Sequence, residues 1–196
     1  DAARDAGVGV SPRVGYERSF QGIEASSKAN AGAIRSSGAD GVLIADYGDG
    51  LRSMASFLSY YDVSPRRYRF LGLSRWDDPR NASESTLHGG WFVTADPARR
   101  AAFSDRFASR LGRQPAPLAP VGYDAVAAAA DILKAAAAGG PAAFSSAAIT
   151  AGAHDGATGS FRLTPDGLNR RALAVMEMTS AGPTLLDPAP SGAPGS

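Results

Sequence analysis

Four short stretches carry side chains that could recognise a small molecule. They are Tyr16-Glu17, Asp46-Tyr47, Ser74-Arg75-Trp76-Asp77 and Thr94. Each directly follows an apolar run that reads as a strand, and three of the four place an aromatic ring beside an acid. Open α/β sheets bind ligands outside the carboxyl ends of their strands. Rings with one or two carboxylates would there suit a small cationic or zwitterionic ligand, through stacking and charge-assisted hydrogen bonds. Aromatics at strand ends also simply close a core, and Asp46, Asp49, Asp77 and Asp78 are ordinary caps and turn formers. The recurrence at neighbouring strand ends favours a cleft.

Chemistry of other kinds finds little support. His88 and His154 are the only histidines, and neither is followed at i+3 or i+4 by another ligand type, so no metal site is expected. Gly72-Leu-Ser74 lacks the second glycine of a nucleophile elbow, which leaves Ser74 a cleft or loop residue. The glycines of Asp46-Tyr-Gly-Asp-Gly50 are not spaced to cradle phosphate. Asp77 and Asp78 are sequence neighbours and splay apart, a poor acid–base pair. Asn81-Ala-Ser83 matches a glycosylation sequon, a pattern common by chance. No catalytic residue, metal or cofactor is expected.

The elements that would position these residues alternate. Val8 to Tyr16 reads as a strand, residues 22–37 as a helix ending near Gly38, and Gly41 to Ala45 as a strand buried on both faces. Asp49 can cap a helix whose Leu51, Met54, Ala55 and Leu58 form one apolar stripe. Strands follow at Tyr68 to Leu73 and Gly90 to Thr94. Repeated βαβ units imply right-handed crossovers and a parallel sheet. Asp96-Pro97 opens another helix, with Phe103, Phe107 and Leu111 on one side. After the proline-rich segment 114–120 comes a helix over 121–138, apolar nearly all round and so expected to be packed on several sides. Phe144 to Thr150 reads as a short helix. Residues 159–163 and 172–178 flank Pro165-Asp166-Gly167 as a hairpin, and the tail beyond residue 187 reads as frayed. The expected fold class is therefore α/β with a mainly parallel sheet between helical layers. Residues 1–95 would be the βαβαβ core, 96–186 crossover helices and a closing hairpin, and 187–196 a flexible tail.

With 44% hydrophobic and 20% charged residues, the composition is that of a globular chain with an ordinary core. A net charge of +1 without like-charge blocks excludes a nucleic-acid or membrane-surface partner read from charge. Cysteine is absent, which removes thiolate sites and disulfides. No apolar run reaches the ~20 residues of a membrane span. The first seven residues read as the last turn of a helix stopped by Gly7, as though the chain continues a longer protein.

Several runs resemble the second lobe of leucine-type (type I) periplasmic binding proteins: Gly41-Val-Leu-Ile-Ala-Asp-Tyr-Gly48, His88-Gly-Gly-Trp-Phe-Val93, Gly122-Tyr-Asp-Ala-Val126 and the closing segment from Gly156 to Gly167. Leu71-Gly-Leu-Ser-Arg-Trp-Asp-Asp-Pro79 and Tyr60-Tyr61-Asp62 are similar to one branch of that fold, the penicillin-binding protein activators. The resemblance spans roughly residues 8–188. It implies a non-enzymatic module of a two-lobed protein, with a facing N-terminal lobe supplying half of a cleft and the C-terminal elements returning to complete the lobes. It also implies a periplasmic location, with lipid anchoring through a preceding N-terminus. In amino-acid-binding members a tyrosine after the first of these strands and an acid after the next hold the ligand ammonium. Here those roles would fall on Asp46 or Tyr47 and on the loop of Ser74, Trp76 and Asp77, with Tyr16 beside them and Tyr123 lining the cleft. Two functions follow from the likeness. One is regulation of a peptidoglycan synthase by protein contact; the alternative is a receptor that delivers an amino acid or similar solute to an ABC permease.

Overall fold

A computed structural model describes residues 2–139 and 145–192. The chain divides into two compact units, residues 1–93 with 176–185, and residues 94–175 with 186–196.

In the first unit a short α1 (Ala2–Asp5) precedes α2 (Phe20–Ser36), β1 (Gly41–Leu43), α3 (Gly48–Tyr60), β2 (Arg69–Gly72) and β3 (Trp91–Thr94). Ser19 starts α2 by accepting the Gly22 N–H at 3.1 Å. The expected stripe of α3 is its buried side: Leu51, Met54, Ala55 and Leu58. The helix packs on α2, where the Ser27 hydroxyl bonds Ile23 O and reaches Met54 Sδ. β1, β2 and β3 lie side by side in parallel register, Val42 opposite Phe70 and Gly72 opposite Phe92. β7 (Ala174–Thr179) joins the other edge of β3 through bonds of Met178 to Gly89 and Gly90, and β8 (Gly182–Asp187) follows it, giving a mixed sheet in the order β1-β2-β3-β7-β8.

Two expectations fail in this unit. Residues 8–16 form no strand, and Val8, Val10 and Val14 are exposed. Pro12 has no N–H to give a ladder, and Gly9 and Gly15 have no side chain to bury. The run from Gly41 to Ala45 is not buried on both faces: Ile44 is interior, whereas Leu43, one residue before it, is 56% exposed. Side chains alternate along a strand, so one face of β1 enters the core with Phe70 and Phe92 while the other stays open.

The second unit contains α4 (Pro97–Leu111), α5 (Ala119–Gly139), α6 (Ser146–Ala151), β4 (Ala153–Gly156), β5 (Gly159–Leu163) and β6 (Asn169–Arg171). Asp96 caps α4 through the N–H groups of Ala98 and Arg99, and Gly112 at φ 65° ends it. β4, β5 and β6 form an antiparallel sheet. The hairpin across Pro165-Asp166-Gly167 is therefore β5 with β6, not with residues 172–178. Leaving that hairpin at Arg171, the chain is free to place Ala174–Thr179 in the other sheet. α5 is not enclosed as its composition suggested: it buries Asp124, Ala128 and Ala136, while Val121, Val126 and Leu133 are exposed. It packs on β4. Phe144, where the short helix was expected to begin, and residues 193–196 of the tail lie outside the described residues.

Candidate functional site

At the carboxyl end of β1 the chain turns directly into α3, and Asp46 is the pivot of the turn. Its side chain is buried, and each oxygen is claimed. Oδ2 accepts the Tyr16 phenol at 2.8 Å. Oδ1 accepts Arg18 Nε and the Tyr47 N–H, each at 2.7 Å. Space for the carboxylate comes from Gly50, where a Cβ would press against both oxygens. Burial alone would push the Asp46 carboxyl up, but the bonds from Arg18, Tyr47 and Tyr16 outweigh it and hold it below the usual carboxylate range. The Tyr16 phenol moves the opposite way. Burial first, then its bond and proximity to the Asp46 charge, push it up to about 12.

Tyr47 stands beside this cluster as the first residue outside α3, extended and 43% exposed. Its ring is flanked by two cations. The Arg18 guanidinium lies 4.1 Å from the ring centroid and that of Arg75 4.5 Å. Arg18 also donates from Nη2 to Tyr47 O at 2.7 Å. Arg75 reaches the ring from the 3₁₀ turn Ser74–Trp76 that follows β2. The strand ends of β1 and β2 thus bring Asp46, Tyr47 and the Ser74 turn to one rim, where Tyr16 and Arg18 join them from the segment before α2.

Trp76 is the exception among the residues expected there. It is fully buried, its Nε1–H donating to Ile44 O at 3.2 Å and its ring 6.3 Å from that of Phe92. It points beneath the rim because Gly72 leaves room: a Cβ at Gly72 would overlap the indole. The rest of the Trp-Asp-Asp-Pro run is similarly structural. Asp78 caps the 3₁₀ turn Pro79–Ser83 and holds Arg80, and fully buried Asn81 donates to Trp76 O at 2.9 Å. Ser74 is exposed and Asp77 half-buried.

Tyr123 belongs to the second unit. It is 53% exposed, edge-on to Phe103, and borders an open hollow of about 410 Å³ shared with Phe107 and Arg110. Its neighbour Asp124, which the sequence reading passed over, does more. Almost fully buried, Asp124 accepts the N–H groups of Ala157 at 2.6 Å and Thr158 at 3.1 Å, the Thr158 hydroxyl, and Arg171 Nη1 at 3.0 Å. It clasps the start of α5 to the β4–β5 turn. Gly156 must lack a Cβ because the carboxylate occupies that space, and Gly159 takes φ 109°. The signal was present in the sequence as an acid inside Tyr-Asp-Ala-Val and two glycines in Gly-x-x-Gly.

Among the described residues no three or more His, Asp or Glu side chains gather as a metal site, and no helix is long and apolar enough to cross a membrane. His88 Nε2 lies 2.8 Å from Ala82 O, and His154 packs on Phe161.

Solved structures share this fold. A leucine-binding protein from Thermotoga maritima is 16% identical with a TM-score of 0.59, over 89% of this chain and 49% of its own. A substrate-binding protein of an ABC transporter from Desulfitobacterium hafniense, in complex with Leu, is 20% identical with a TM-score of 0.57, over 94% and 53%. An extracellular ligand-binding receptor from Rhodopseudomonas palustris is 19% identical with a TM-score of 0.60, over 94% and 56%. The chain thus spans about half the length of the structures it matches. No curated protein matches it. A family model described as periplasmic binding protein covers residues 1–183. With its type I fold of helices around a mainly parallel mixed sheet, this chain belongs to the periplasmic binding protein family.

Proposed function

We propose that the chain is one half of a periplasmic solute receptor, which holds a small organic molecule at the strand-end rim and presents it to an ABC permease. The observation that carries this reading is the convergence of Asp46, Tyr47 and Arg75 just past the adjacent carboxyl ends of β1 and β2, where α/β folds bind ligands, with Tyr16 bonded to Asp46 beside them. A facing lobe elsewhere in the protein would complete the cleft, and closure of the lobes would be the working motion. The first expected reading, stimulation of a peptidoglycan synthase, drew chiefly on the Trp-Asp-Asp-Pro run, with Tyr60-Tyr61-Asp62 beside it. That run has an interior structural account in buried Trp76 and the Asp78 cap, so it does not argue for a partner surface.

Calorimetric titration of the full-length protein with the common amino acids and small organic acids tests the proposal. Binding of one compound class at micromolar Kd is expected. Silence across the panel up to about 1 mM, a free energy weaker than about −4 kcal/mol, would overturn it.

A further inference from the structure

We infer that the rim reads a carboxylate rather than an ammonium group, so that the ligand is a small organic acid. The inference rests on the receptor reading above and names its substrate class.

Recognition of an ammonium group needs an available acid or an open aromatic face. The rim offers neither at its centre. Asp46, the acid at the end of β1, is buried, and its two oxygens already accept the Tyr16 phenol, the Arg18 guanidinium and the Tyr47 N–H. Asp49 is exposed and carries Arg52, Asp78 carries Arg80, and of the rim acids only Glu17, exposed beside Tyr16, would compete for an ammonium group, without an open ring at the centre to hold it. The Tyr47 ring is no better placed to take a cation, because guanidinium groups already lie 4.1 Å and 4.5 Å from its centroid. A further cation there would meet the Arg75 guanidinium beside Arg18, whose charge Asp46 balances.

The same geometry favours an anion. Stacking on a ring occupies the flat face of a guanidinium and leaves its N–H edge for a planar partner, and a carboxylate matches that edge with two parallel hydrogen bonds. Arg75 is exposed and held against Tyr47. Arg18 is anchored by Asp46 through Nε and by Tyr47 O through Nη2, so its orientation is set before a ligand arrives. Asp46 is then the residue that positions Arg18, and Tyr47 the spacer between the two cations.

The test compares leucine with 4-methylpentanoate, the same skeleton without its ammonium group, and with succinate, by calorimetry on the full-length protein. 4-Methylpentanoate or succinate is expected to bind more tightly than leucine. Arg75→Gln, at an exposed side chain, is expected to weaken the acid about tenfold or more, and Arg75→Lys to recover only part of the loss, since it restores the charge without the fork. Unfolding curves of both variants should match the parent. Leucine binding with no response to either acid would overturn the inference and leave the receptor reading standing. An unchanged acid affinity in Arg75→Gln would also overturn it. Silence toward all three, with binding of another amino acid and of no organic acid in the wider panel, removes the inference alone; silence toward the whole panel removes both.

Discussion

The Tyr16 phenol donates to Asp46 Oδ2 at 2.8 Å, tying the segment before α2 to the end of β1 across thirty residues. This bond links the titration of the rim to folding from both ends of the pH scale. The Asp46 carboxyl is lower in the folded chain than its free value of about 3.9. Its contribution is therefore complete above that value and is lost as pH falls through the lower folded one. Tyr16 is raised to about 12, against about 10 when unfolded, so its contribution is present below pH 10 and is lost as pH climbs toward 12. Melting temperatures measured across pH should fall off on both sides. Asp46→Asn should flatten the acid limb and narrow the basic one; limbs identical to the parent would contradict the coupling.

Trp76 should behave as a core residue. Trp76→Ala is expected to cost about 3–5 kcal/mol in urea unfolding, through the lost ring and the cavity it leaves. Gly72→Ala should destabilise by about 1–3 kcal/mol, because its methyl group overlaps the indole and a rigid ring yields little. Red-shifted Trp76 emission in a parent carrying Trp91→Phe would show instead that the ring faces water.

The clasp in the second unit gives an independent prediction. Asp124→Ala should cost about 2–4 kcal/mol, since it strips partners from the N–H groups of Ala157 and Thr158 and leaves Arg171 unpaired. Asp124→Asn should cost less, and Gly156→Ala should resemble the alanine variant. Hydrogen exchange at Ala157 and Thr158 is the sharper readout, because both amides should become fast in Asp124→Ala and only one in Asp124→Asn, which keeps a single acceptor oxygen.

Much of this arrangement is written in the sequence where local signals agree with tertiary need. The stripe Leu51, Met54, Ala55, Leu58 and the Asp96-Pro97 helix start are local patterns, and both elements form as those patterns dictate. The placement of Asp46 and Tyr47 follows from the strand that precedes them. What escaped depends on contacts distant in sequence. Trp76 follows a strand like any rim residue, and only the space above Gly72 turns it inward. Arg18 is an ordinary surface residue until Asp46 and Tyr47 come within its reach. Residues 172–178 carry the same alternation whether they pair with β5 or join the parallel strands as β7, so periodicity could not choose between sheets.

The central claim is that Tyr47 and its flanking guanidiniums face the ligand. Calorimetry on full-length Tyr47→Ala, titrated with whichever compound the parent binds most tightly, tests it most directly. The affinity should fall about tenfold or more while the unfolding midpoint moves by only a few degrees, as suits a ring already 43% exposed. An affinity equal to the parent's would place the ligand elsewhere and contradict the account.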